Sequence, residues 1–98
     1  MTIEKNMHGA ELTVLLEGRL DTLSAPEFEV VIRNELAGVE TLVLDLKKLQ
    51  YTSSAGLRVI LLAQKTMNKQ GKMILKNVCE GVMEVFEITG LADLLTIE

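Results

Sequence analysis

Ninety-eight residues, 48% of them apolar and carrying a net charge of −4, define one domain with room for a real core but not for a second. The acidic balance excludes a grip on nucleic-acid phosphates, which needs clustered Lys and Arg, and leaves protein partners as the natural class. Aromatic residues make up only 3%, so the core must be built from Leu, Val, Ile and Met.

In chain order, residues 3–7 read as an edge strand, with a turn at His8-Gly9. Residues 11–17 (ELTVLLE) put Leu12, Val14 and Leu16 on one face and Leu15 on the other, a mostly buried strand that closes a hairpin with the first. Residues 18–21 (GRLD) are expected to lead out of the sheet. Ser24-Ala25-Pro26-Glu27 then signals a helix start: Ser24 as cap, Glu27 completing a capping box, Pro26 tolerated in the first turn. Phe28, Val31, Ile32 and Leu36 recur at helical spacing, and Gly38 ends the helix.

Residues 41–46 (TLVLDL) are apolar on both faces, as a central strand should be. A loop over residues 47–52 leads to a helix over residues 55–68, ended near Gly71. Residues 72–76 (KMILK) form a further strand. Residues 80–88 form a helix with Val82, Val85, Phe86 and Ile88 inward, stopped at Gly90. A helical turn over residues 91–94 and a terminal strand over residues 96–98 finish the chain. The order β-β-α-β-α-β-α-β implies an α/β fold, a mixed four- to five-stranded sheet with crossover connections and helices packed mainly on one face.

The most informative stretch is Asp45 to Leu62, where an apolar strand ends at an acid and a serine pair, Ser53-Ser54, opens a helix. Backbone N–H groups and the helix dipole favour negative charge there. By spacing alone a serine in that place is most simply a cap, worth about 1 kcal/mol. At 3.6 residues per turn, Gly56, Val59, Ile60, Ala63 and Met67 face the sheet, and Ser54, Leu57, Arg58, Leu61 and Lys65 fall on or near the opposite side. Leu57 and Leu62 are expected to pack sideways against neighbouring helices. Leu61 then points outward beside the serines.

These residues resemble the STAS domain family, the anti-sigma-factor antagonists and their relatives. The resemblance lies in Leu42-Val43-Leu44-Asp45-Leu46, Tyr51, and Thr52-Ser53-Ser54-Ala55-Gly56-Leu57. It extends to Gly18-Arg19-Leu20-Asp21 and Leu91-Ala92-Asp93-Leu94-Leu95, and so spans essentially the whole chain. It implies an antagonist that binds an anti-sigma factor with serine kinase activity, frees the sigma factor, and is switched off by phosphorylation. Aligned on Gly56-Leu57, the acceptor corresponds to Ser54, with Ser53 the alternative. Two departures stand out: many relatives carry Asp where this chain has Ser53, and Ser or Thr where it has Ala55. The partner-binding residues expected on this basis are Asp21, Thr22, Ser53, Ser54, Leu57, Arg58, Leu61 and Lys65. Asp45 is expected to fix its loop by hydrogen bonds, Tyr51 to anchor that loop, and Lys47 and Lys48 to be solvated. The alternative the same fold allows is a stand-alone STAS subunit of a membrane transporter complex, without phosphorylation. Small-ligand or nucleotide sensing is a third class, unsupported by any phosphate-cradling motif.

Enzymatic chemistry has no constellation to rest on. A serine nucleophile needs a base, and the one histidine, His8, lies in the N-terminal turn. The Gly-x-Ser-x-Gly elbow, the phosphate-binding loop and Cys/His metal spacing are all missing. Cys79, the one cysteine, reads as a semi-buried apolar residue, which excludes an internal disulfide and suits a reducing compartment. No run reaches the roughly 20 apolar residues of a membrane span, and residues 1–5 lack the layout of a secretory leader. A cytoplasmic binding protein is expected, without cofactor or metal, without nucleic acid or membrane insertion, and monomeric or weakly dimeric.

Overall fold

Strand alternation and helical spacing assemble in the order β1 (Thr2–His8), β2 (Glu11–Leu20), α1 (Ala25–Glu35), β3 (Thr41–Thr52), α2 (Ser54–Asn68), β4 (Lys72–Lys76), α3 (Glu80–Thr89) and a 3-10 turn at Leu91–Asp93. The computed structural model describes all residues, Met1–Glu98. The sheet has four strands in the order β1-β2-β3-β4. β1 is antiparallel to β2, whereas β2, β3 and β4 run parallel. Both parallel connections step the same way along the sheet. Right-handed crossovers therefore place α1 and α2 on one face.

That face holds the core. Leu12, Val14 and Leu16 of β2, Leu42, Leu44 and Leu46 of β3, and Met73 and Leu75 of β4 join the buried residues of all three helices in one cluster. Phe28 and Ile32 come from α1, Val59, Ile60, Ala63 and Met67 from α2, and Val82 and Phe86 from α3. Each fully buried aliphatic side chain contributes about 1.5–3 kcal/mol relative to exposure. The opposite face carries no helix.

Several local expectations are revised. β2 does not end at Glu17 but runs on to Leu20, and β3 continues through the segment read as a loop, to Thr52. Two register shifts, between Leu15 and Glu17 and between Gly18 and Arg19, each insert one extra residue into β3. Inward positions therefore step by three, Leu46, Leu49 and Thr52, all buried, and the period-2 signal vanishes. Gly18, at the second shift, has φ +107, a conformation that suits glycine.

The Ser24 capping box does not form. Ser24 itself has helical dihedrals and no side-chain cap bond, because its hydroxyl is used by the preceding turn. Ile88, placed inward by spacing, is 78% exposed, since α3 packs through Val82 and Phe86. The expected terminal strand shrinks to a single bridge between Leu75 and Ile97, so the sheet has four strands. Cys79 is half-buried, its thiol 3.4 Å from the Leu49 carbonyl.

Candidate functional site

The carboxyl ends of β2 and β3 are laced together, and this positions the site. The Ser53 N–H donates to the Leu20 carbonyl at 2.8 Å, so the turn after β2 abuts the start of α2. Gly56 makes the approach possible: a β-carbon there would lie 2.5 Å from Thr52 Oγ1 and 2.6 Å from Leu20 Cγ.

The two serines occupy different environments. Ser53 is the N-cap, in extended conformation, its hydroxyl oxygen accepting the Gly56 N–H at 3.5 Å. Ser54 is the first helical residue and is exposed. Its hydroxyl makes no hydrogen bond within the chain. No acidic residue occupies the first turn of α2, so the positive end of the helix dipole is uncompensated there.

Asp21 sits across this junction as the organiser of the β2–α1 turn. Its Oδ1 accepts the N–H groups of Leu23 at 3.0 Å and Ser24 at 3.1 Å. The Ser24 hydroxyl accepts the Asp21 N–H at 2.9 Å and donates to the Arg19 carbonyl at 2.7 Å. The Ser24 backbone N–H is the main cause holding the Asp21 carboxyl below its ordinary value, against partial desolvation and with help from the Ser24 hydroxyl, the Leu23 N–H and Arg19. A fixed turn results, and it presents Leu23, 91% exposed. Together, Met1, Arg19, Asp21, Leu23, Ser24 and Glu27 line a shallow cleft of about 420 Å³.

Of the expected binding residues, Asp21, Thr22, Ser53 and Ser54 are brought together at this end of the sheet. Arg58 and Lys65 are exposed along α2, and Leu61 is half-buried rather than fully outward. Leu57 is only 8% exposed and belongs to the core cluster, so its side chain is not available to a partner. Tyr51 is not a loop anchor. It is partly exposed, and the Arg19 guanidinium lies 4.1 Å from its ring centroid, a contact worth about 0.5–1 kcal/mol at an exposed site. Asp45 does fix local backbone, accepting from the Lys47 N–H and Asn77 Nδ2, each at 3.0 Å. Sequence reasoning missed Leu23. A leucine between a turn acid and a helix start looks like ordinary helix lead-in, and only the turn geometry shows it turned to solvent.

The arrangement offers no catalytic pairing and no cluster of metal-ligating side chains. It is a surface: a free hydroxyl at the start of α2, with Leu23 exposed on the β2–α1 turn and Arg58 and Lys65 exposed along α2. Fold and site together define a small α/β domain with one helix-covered sheet face and an exposed serine at the carboxyl ends of its parallel strands. The chain belongs to the STAS domain family, whose model matches residues 2–98.

Among curated relatives, BtrV of Bordetella bronchiseptica, provisionally described as an anti-sigma factor antagonist, is 36% identical over 88 residues, covering 88% of this chain and 76% of BtrV. The anti-sigma-B factor antagonist of Bacillus subtilis is 30% identical over 102 residues, covering 99% of this chain and 90% of that protein. Among solved structures, an anti-sigma factor antagonist from Mycobacterium paratuberculosis superposes with a TM-score of 0.88 at 22% identity, covering 98% of this chain and 83% of that one. SpoIIAA of Bacillus in its phosphorylated form gives 0.78 at 20% identity, covering 99% and 91%. At those identities the structures establish the shared fold. No helix here is long and apolar enough to cross a membrane.

Proposed function

We propose that this chain is an anti-sigma-factor antagonist that binds an anti-sigma factor with serine kinase activity and is switched off by phosphorylation of Ser54. The observation that carries the choice of residue is the division of labour in the serine pair. Ser53 Oγ is engaged as the cap of α2, and Ser54 Oγ is exposed and free. The names of the relatives support the partner class, and SpoIIAA has been solved both unphosphorylated and phosphorylated.

The mechanism follows from charge. Phosphate adds about −1.5 to −2 charges at neutral pH. At the first position of α2 it meets the helix dipole and no resident acid, an interaction worth about 0.3–1 kcal/mol in favour of the modified fold. The fold therefore tolerates the group. The cost falls on the complex, where a buried doubly charged group must be desolvated or meets acids on the partner. The departure at Ser53 fits this scheme: with a neutral cap in place of Asp, the phosphate has no adjacent negative neighbour. Leu23, Leu61, Arg58 and Lys65 supply the docking surface, apolar at two points and basic along α2.

The test pairs the chain with a kinase-type anti-sigma factor from the same genome, plus ATP. A single-phosphate mass shift is expected in the wild type and in Ser53→Ala, and none in Ser54→Ala. A shift that survives Ser54→Ala but is lost in Ser53→Ala moves the acceptor by one residue. Leu23→Asp and Leu61→Asp are expected to weaken the complex about 10- to 100-fold, the range of interface hot spots, with circular dichroism unchanged. Stable co-purification with a transporter ATPase, without phosphate, would replace this reading by the scaffold alternative.

A further inference from the structure

The helix that presents Ser54 has no acid anywhere along it. The 15 residues of α2 include two cations, Arg58 and Lys65, and neither Asp nor Glu, in a chain whose net charge is −4. Both cations are exposed. Neither joins an ion pair, the two such pairs being Lys5–Glu35 and Arg33–Glu29. Arg58 stands four residues after Ser54, one turn along the same face, where Cβ atoms lie about 5–6 Å apart. Helical side chains lean toward the N-terminus, so an arginine here reaches back toward position 54. The other helix positions within its reach, Ala55, Leu61 and Leu62, are apolar, and no acid on α2 competes for it. For Ser53 the corresponding neighbours are Gly56, without a side chain, and Leu57, which is buried. Lys65 lies about 16 Å from Ser54 along the helix axis, and Arg19 is stacked on Tyr51. Within one turn of Ser54, Arg58 is the uncommitted cation.

We propose that Arg58 is a built-in clamp for the phosphate on Ser54, closing an ion pair within α2 in the modified chain. The clamp rests on Ser54 being the acceptor and adds how that site is regulated. When Ser54 Oγ takes the γ-phosphoryl group of ATP, the new O–P bond replaces the bond from γ-phosphorus to the β,γ-bridging oxygen, ADP leaves, and the hydroxyl proton is released. The phosphate then places about −1.5 to −2 charges one turn before a planar guanidinium, which binds two oxygens in parallel. Acid first and base four residues later is the favoured order for a helical pair, because it also follows the dipole. One arginine thereby serves two exclusive purposes. In the unmodified chain it projects to solvent, open to an acidic group on a partner. In the phosphorylated chain it is folded onto its own helix. Modification therefore adds negative charge to the docking surface and also withdraws the cation nearest to it.

Phosphoserine placed at position 54 of the full chain during translation, by suppression of a stop codon, tests this without any kinase. Thermal melts then form a cycle of four proteins: wild type and Arg58→Gln, each with serine or phosphoserine at position 54. Phosphoserine is expected to raise Tm by about 2–5 °C in the wild type, and by less than half as much in Arg58→Gln, where only the helix dipole still acts. Arg58→Lys keeps a point charge without the planar fork and should recover part of the rise. In proton–nitrogen NMR spectra the Arg58 Nε–H signal is expected to shift on phosphorylation, and its exchange with water to slow several-fold. An equal rise in Tm with and without Arg58, or an Nε–H signal unmoved by phosphoserine, overturns the clamp. Should Arg58→Gln fail to fold, Arg58→Lys and the wild-type NMR signal decide. Kinase assays on the unmodified chain stand apart. Phosphate that never arrives at Ser54 overturns the acceptor, whereas phosphate that arrives and leaves Arg58 free overturns only the clamp.

Discussion

A β-carbon at position 56 would overlap Thr52 Oγ1 and the Leu20 side chain, and Leu20 is fully buried with nowhere to retreat. Gly56 is therefore not a weakness in α2 but the condition for docking its first turn against the ends of β2 and β3. Gly56→Ala would gain up to about 1 kcal/mol of helix propensity and lose about 1–3 kcal/mol to overpacking. A net loss of about 1–2 kcal/mol is expected in urea denaturation. Gly71 has a comparable constraint at the other end of α2, where a β-carbon would run into the Glu40 carbonyl, a neighbour that cannot rotate away. The serine pair is resolved at this same scale. Adjacent residues of one type differ because one lies outside the helix and caps it, while the other is its first turn and has nothing left to bond.

At the scale of elements, the β2–α1 turn behaves as a unit held by one carboxylate. Because its hydrogen bonds hold the Asp21 carboxyl below the ordinary value of 3.8, the folded state favours the ionised form. The resulting contribution to stability is present above the unfolded pKa and is lost as the pH falls through the lower folded value. Asp21→Asn keeps a side-chain acceptor but removes the charge. The stability difference between wild type and Asp21→Asn, followed by urea denaturation, is therefore expected to be largest near neutral pH and to close as the pH drops below about 4. A difference that stays constant across the acid range would mean the turn depends on shape and not on ionisation. The two bulges in the β2–β3 pair act at the same level. They turn an expected loop into continuous sheet and carry Thr52 inward, which brings the α2 cap under Leu20.

For the whole molecule, the asymmetry of the sheet decides where change is tolerated. Leu44 is fully buried in the core cluster on the central strand. Leu44→Ala is expected to cost about 2–5 kcal/mol, a large share of the stability of a small domain. Ile74, half-buried on the open face and outside the cluster, should accept Thr at a cost below about 1 kcal/mol. Equilibrium denaturation in urea separates the two. If both substitutions cost the same, the open face is not the more lightly packed side of the sheet.

Much of this was legible in the sequence. The apolar alternation of Leu12, Val14 and Leu16 and the helical spacing of Gly56, Val59, Ile60, Ala63 and Met67 depend on local periodicity, and these elements form where the pattern puts them. The order of strands and helices, with the handedness of crossovers, was enough for a one-faced mixed sheet. What local pattern cannot contain is whatever a neighbour decides. Leu46, Leu49 and Thr52 are spaced by three because of bulges set by pairing with β2. Ser24 loses its capping role because Arg19 and Asp21 claim its hydroxyl, and Ile88 faces solvent because α3 rolls onto Val82 and Phe86. Leu23 becomes a surface tip only once the Asp21 turn is closed. The serines at the mouth of α2 show the same division. Their place at a helix start was written in the chain, but which hydroxyl is spent on the cap and which is left free is decided by the folded junction with β2.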